Sequence, residues 1–243
     1  MTCYAERTEG LTLKAKGWIS ILGLALAAAG CVQSLTDEQL GSVEQRLGGS
    51  APFGGAPSFC PSVAGAWPIT VDAVADTQLE EALPTTSGGG LETCTMKGGS
   101  NTRHCLLQFD LTSIPTSTQV VGGCLVVFVT DPSASDYPAA RLLRSWSESV
   151  ATWERAKLAV PWQVPGAWGT LDSGSTTVAT IPKNRTEWTS VPVTTSLLQD
   201  WVTTPSGNYG MVFGNNSSYD GASIATKEHT SHLTAKLVVW TEP

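Results

Sequence analysis

The stretch Leu106-Leu107-Gln108-Phe109-Asp110-Leu111-Thr112-Ser113-Ile114-Pro115 (LLQFDLTSIP) is a short apolar run stopped by Ser113 and Pro115. A run of this length, bounded by turn residues, reads as a buried strand rather than a helix. The same texture extends outward on both sides. Upstream, Ile69-Thr70-Val71-Asp72-Ala73-Val74-Ala75-Asp76-Thr77 alternates apolar and polar positions. Downstream, Val120-Val121 and Cys124-Leu125-Val126-Val127-Phe128-Val129 form a second buried run ending at Asp131-Pro132. Shorter runs follow at Arg141–Arg144, Trp188–Val193, Tyr209–Gly214 and Leu233–Trp240. Many short strands without long helical periods between them predict an all-β fold, an antiparallel sandwich or barrel. One segment differs: Thr194–Val202 places Leu197, Leu198, Trp201 and Val202 at helical spacing and predicts one or two helical turns.

The chain has 243 residues, a length that suits one β domain with extensions. Charged residues make up only 14%, and the formal net charge is −7. With no basic stripe, that balance argues against nucleic acid as a partner, since such binding depends on clustered Lys and Arg. No G-x-S-x-G elbow, H-E-x-x-H pair or phosphate loop occurs, so nothing predicts catalysis.

Residues 1–30 are a different kind of sequence. Lys14 and Lys16 precede an apolar run from Trp18 to Leu26 that ends in small residues before Cys31. This pattern predicts a secretory signal peptide, and the run is shorter than the ~20 apolar residues of a membrane-spanning helix. Ala28-Ala29-Gly30-Cys31 resembles a bacterial lipobox, with Ala28 where Leu is preferred, and makes Cys31 the candidate lipidation site. The expected location is secreted and extracellular, with an outer-membrane lipid anchor through Cys31 as the only contact with a membrane. Removing residues 1–30 leaves a net charge of −8. Residues 31–65, rich in Gly, Pro and Ser from Gly48 onward, predict a flexible tether, and 66–243 the folded domain.

Four further cysteines, Cys60, Cys94, Cys105 and Cys124, are an even number in an exported chain, which favours disulfides. Three pairings are open in principle. Cys94 and Cys105 flank a Gly-rich turn between strand-like runs, so we expect them to pair, with Cys60–Cys124 as the remaining bridge.

The opening stretch resembles the LxFDLSxIP core of the DNRLRE domain family, also classed with carbohydrate-binding module family 96. Other motifs follow in the family's order. Ala75-Asp76-Thr77 is similar to its ADT element, and Ser145-Trp146-Ser147-Glu148 with Ala151-Thr152-Trp153 to its WxE and TW elements. Val193-Thr194-Thr195 with Asp200-Trp201-Val202, then Asn208-Tyr209-Gly210, then Thr226-Lys227-Glu228 complete the series over residues 69–241. The resemblance implies a jelly-roll-like β-sandwich and a non-catalytic role in carbohydrate binding or adhesion at a bacterial surface. A structural envelope or matrix protein without a glycan site is the alternative. It also implies that Trp146, Trp153 and Trp201 anchor the scaffold, their indole N–H groups bonded to neighbouring polar atoms.

A sugar platform is then expected among the aromatic residues outside those positions: Trp162, Trp168, Trp188, Tyr137 and Tyr219. The C–H face of a pyranose stacks on such rings, and a polysaccharide is the expected partner. Arg141 and Arg185 are cations suited to a carboxylated sugar. A structural calcium is an expected cofactor, with Asp76 as its first candidate ligand and turn capping as the competing role for that carboxylate.

Overall fold

A computed structural model describes Cys60, residues 63–215 and residues 217–243. The expected signal segment, the lipid site at Cys31 and all of the tether except Cys60 and residues 63–65 lie outside the described residues. The strands run in the order β1 (Trp67–Glu80), β2 (Thr93–Met96), β3 (Arg103–Phe109), β4 (Val120–Asp131), β5 (Tyr137–Leu142), β6 (Arg155–Lys157) and β7 (Val160–Pro161). After them come β8 (Ser173–Ile181), β9 (Glu187–Pro192), helix α1 (Thr195–Thr203), β10 (Met211–Phe213), β11 (Ala222–Ala225) and β12 (Lys236–Thr241).

All ladders are antiparallel. The pairings resolve into two layers, β1–β12–β4–β9 and β1–β3–β10–β5–β8. The chain crosses repeatedly between them, which is jelly-roll connectivity. β11 and β2 extend the first layer beside β4. β1 belongs to both layers: its first half pairs with β12, and its second half, after a bulge between Ala73 and Ala75, pairs with β3. Bulges bend strands in this way, and here the bend carries the chain round the corner of the sandwich.

Between the layers lies the main core. Leu125, Val127, Leu237 and Val239 from one layer meet Leu107, Phe109, Tyr137 and Phe213 from the other. Helix α1 caps one end and buries the four apolar residues that its spacing predicted, Leu197, Leu198, Trp201 and Val202. A Cβ on Gly123 of β4 would overlap Leu198, so the missing side chain gives the helix its seat. Gln199 ties α1 to the strand start by accepting from the Val120 N–H at 2.8 Å and donating to Thr118 O at 3.1 Å.

A second core lies on the far face of the second layer. Leu79, Leu106, Leu142 and Val212 point outward and are covered by residues 143–172, which contribute Trp146, Ala151, Ala156, Trp162 and Ala167. This explains why Arg103-His104-Cys105-Leu106-Leu107-Gln108-Phe109 has buried residues on both faces. Strands covered on both sides lose the clean apolar/polar alternation. Trp146 and Trp162 serve this core, their indole N–H groups donating to Tyr209 O (2.8 Å) and Thr152 O (2.9 Å).

Both disulfides, Cys60–Cys124 and Cys94–Cys105, are present. β2 and β3 are not a simple hairpin. One isolated bridge, Lys97–Arg103, closes the turn, after which the strands diverge, β2 joining β11 and β3 joining β1 and β10. Cys94–Cys105 therefore staples the two layers together across the core. Closing a loop with 11 residues of sequence separation is worth roughly 2–3 kcal/mol in the chain-entropy model. Replacing both cysteines with Ala is expected to lower unfolding stability by about that amount, read as a fall in denaturant midpoint at constant slope. A stability change of under ~0.5 kcal/mol would show that the staple contributes nothing.

Candidate functional site

Trp168 borders a groove of about 520 Å³, within the size range of ligand sites generally. The groove runs along the β5–β8 edge, lined by Leu143, Trp168, Thr170, Ser173, Ser175 and Thr177 among others. It exists because β8 bows away from β5. β5 advances three residues from Ala139 to Leu142 while β8 covers six from Ala179 to Ser173, leaving Val178 and the run Gly174-Ser175-Thr176 without register partners. β8 is also the outermost strand of its layer. A bulge on an edge strand re-aims side chains and frees backbone N–H and C=O groups for an outside partner.

The Trp168 ring is held from one side. His104, buried in β3, lies 4.9 Å away, centroid to centroid, and also packs against Trp153 at 5.2 Å, both contacts being tilted. His104 Nδ1 is bonded to Gly166 O at 2.6 Å, which fixes the ring. A Cβ on Gly214 would come to 2.5 Å from His104 and 3.2 Å from Trp168, so glycine leaves these rings their room. Asp172, fully buried, accepts from Arg144 Nε (2.7 Å) and from the Val164 N–H (3.0 Å), locking the loop that carries Trp168.

The other expected sugar contacts are dispersed. Trp162 is 4% exposed and committed to the outer core. Tyr137 is fully buried and donates its hydroxyl to Asp220 O. Tyr219 is 71% exposed. Arg141 is occupied by Asp200 Oδ2 (2.9 Å) and Gly207 O (3.4 Å). Trp188 and Arg185 do come together, with Asn184 and Ser190, in a separate groove of about 330 Å³ beside β9, where Phe128 meets the Trp188 ring edge-on at 5.5 Å.

Asp76 lies elsewhere, in a cluster that residue spacing along the chain does not reveal. It is fully buried in β1, and Glu148 and Glu228 each bring a carboxylate oxygen so that all three lie within 4.8 Å of one another. The Asp76 N–H donates to Glu148 Oε1 at 2.8 Å, and Asp76 Oδ2 accepts from the Lys227 N–H at 2.8 Å. The Lys227 ammonium bridges Glu228 and Glu148 Oε2, the latter at 3.1 Å. Burial, with the negative charges of Glu228 and Glu148 beside it, pushes the Asp76 pKa up to about 7, against the Lys227 N–H, which lowers it. The Lys227 ammonium is held above its ordinary pKa, first by its bond to Glu228. Asp76 Oδ1 and Glu228 Oε2 are buried without a hydrogen-bond partner. Three carboxylates against one ammonium leave a deficit of positive charge that a proton or a cation has to supply. Oxygen donors of this kind fit calcium, which would compete with Lys227 for Glu148 and Glu228.

No protein-family model matches this sequence, and no curated protein matches it. Among the described residues no helix is long and apolar enough to cross a membrane.

Proposed function

We propose that this chain is a non-catalytic carbohydrate-binding or adhesion module, exported and tethered at a bacterial cell surface, with the β5–β8 groove as its glycan site. The observation that carries this reading is Trp168, an aromatic face pinned by His104 at 4.9 Å and bordering a groove lined with Thr170, Ser173, Ser175 and Thr177. A platform already locked before binding loses little conformational entropy when a sugar stacks on it. The hydroxyls both donate and accept, matching the hydroxyls of a pyranose. The motif series over residues 69–241 and the signal-like run before Cys31 support the same reading. Calcium belongs to it as a brace held by Asp76, Glu148 and Glu228, tying β1 to the covering loop and to the segment before β12.

Trp168→Ala is expected to abolish retention of the protein on insoluble polysaccharides, a loss of at least about tenfold in affinity. The thermal unfolding midpoint of the variant, measured in parallel, establishes that its fold survives. Retention equal to that of the parent protein would remove the groove from the function.

A further inference from the structure

We infer that the glycan taken by the β5–β8 groove is electrically neutral, an uncharged polysaccharide; this rests on the glycan reading above and names the substrate class of that same site. Among the described residues, none that lines the groove is charged. The two arginines of the neighbouring chain are already compensated, Arg141 by Asp200 at 2.9 Å and Arg144 by the buried Asp172 at 2.7 Å. A uronate or sulfate entering here would lose part of its hydration shell and gain no cation in return, an unfavourable exchange. The long-range field acts in the same direction, because a chain of net charge −7 repels a polyanion before contact. What the groove does offer is an aromatic face, five hydroxyl side chains and the stretch Gly174-Ser175-Thr176, which has no register partner on β5. These satisfy hydroxyl groups of either polarity and discriminate against charge.

The groove beside β9 makes the contrast. There Arg185 lines the surface next to Trp188 and Asn184, so a carboxylate would find a cation at that site and not at the larger one. The two classes of glycan are thereby separable by residue.

Affinity electrophoresis of the full chain tests this, with neutral polymers (hydroxyethyl cellulose, laminarin, galactomannan) and acidic ones (alginate, polygalacturonate) in the gel, at low and high salt. The expected result is retardation by at least one neutral polymer, insensitive to salt, and at least about tenfold weaker or absent with every acidic polymer. Trp168→Ala removes the neutral retardation. The double variant Ser175→Ala/Thr177→Ala, whose side chains are solvent-exposed, weakens it without changing the unfolding midpoint. Binding that depends on Trp168 but favours the acidic polymers and fades with salt would overturn the neutral assignment while leaving the glycan site in place. If no polymer is retarded in a manner dependent on Trp168 or on Ser175 and Thr177, the glycan reading fails and the assignment fails with it.

Discussion

Raising the pH from about 4 to about 8 with a chelator present is expected to lower the stability of the folded domain by on the order of 3–4 kcal/mol. The cause is Asp76. Its folded-state pKa is pushed from 3.8 up to about 7 by burial and by Glu228 and Glu148. Between those values the folded chain holds a proton that the unfolded chain has released, so unfolding becomes more favourable as the pH rises. Stability is thus highest below pH ~4 with respect to this group and is lost through pH ~7. Asp76→Asn should flatten the dependence. An amide keeps an acceptor for the Lys227 N–H at the Oδ2 position and offers N–H donors toward the orphaned Glu228 Oε2. The stability difference between variant and parent should therefore grow with pH in the variant's favour. On the calcium site proposed above, calcium added at pH 8 should restore the parent and leave the variant unchanged, as an ion replacing the lost proton would. A parent protein whose denaturant midpoint is flat from pH 4 to pH 8 would show that Asp76 holds no such proton.

The second large effect is expected from Gly210→Ala. Gly210 has φ +80°, and a Cβ there would overlap the backbone carbonyl of Leu107 in β3. The left-handed backbone costs an alanine roughly 1–2 kcal/mol. Overpacking against a fixed backbone adds roughly 1–3 kcal/mol more. The site is also a junction. Asn208 Oδ1 accepts from the Gly210 N–H (3.1 Å), Asn208 Nδ2 donates to Phe109 O (2.8 Å), and the Leu142 N–H donates to Gly210 O (2.9 Å). Tyr209 O receives the Trp146 indole N–H. Moving this backbone disturbs β3, β5 and the outer core together. A loss of about 3 kcal/mol or more in chemical denaturation is expected, whereas a loss below ~1 kcal/mol would mean that the strand yields where the packing says it cannot.

Much of the fold was legible in the sequence because the strongest strands are apolar runs bounded by turns. Those around Leu106–Leu111 and Cys124–Val129 fall in β3 and β4, and the spacing of Leu197, Leu198, Trp201 and Val202 gives helix α1. β8 was not legible. Ser173-Gly174-Ser175-Thr176-Thr177 is small and polar with a glycine near its start, which reads as loop, and only Val178–Ile181 has strand character. The features that hide β8 are those of its bulge, so the strand that shapes the groove is the one that the pattern omits. The strand near Arg141–Arg144 was displaced for a related reason: β5 is Tyr137–Leu142, and its Pro138, Ala139 and Ala140 carry little strand propensity.

The candidate sites were legible in part. Trp168 and Asp76 were each identified singly, from residue type. Their surroundings were not, because Asp76, Glu148 and Glu228 are brought together by tertiary folding across 72 and 152 positions of sequence. His104, which pins Trp168, gave no signal beside Arg103 at the start of a mainly apolar strand. Of the three tryptophans expected to anchor the scaffold, Trp146 is buried in the outer core, Trp201 is fully buried in the main core, and Trp153 packs against His104. Their polar partners differ from expectation. Trp146 donates to the backbone carbonyl of Tyr209, whereas the buried Trp201 indole N–H, against expectation, has no hydrogen-bond partner among the described residues.

The indole N–H resonances of the tryptophans provide the most direct test of the glycan site. The protein is titrated with a soluble neutral polysaccharide fragment that it retains, and each indole signal is assigned by single substitution. The Trp168 signal is expected to shift saturably while those of the buried Trp146, Trp162 and Trp201 stay in place. A saturable shift confined to Trp188, or to none of the indoles while binding is demonstrated by another method, would contradict the assignment of the β5–β8 groove.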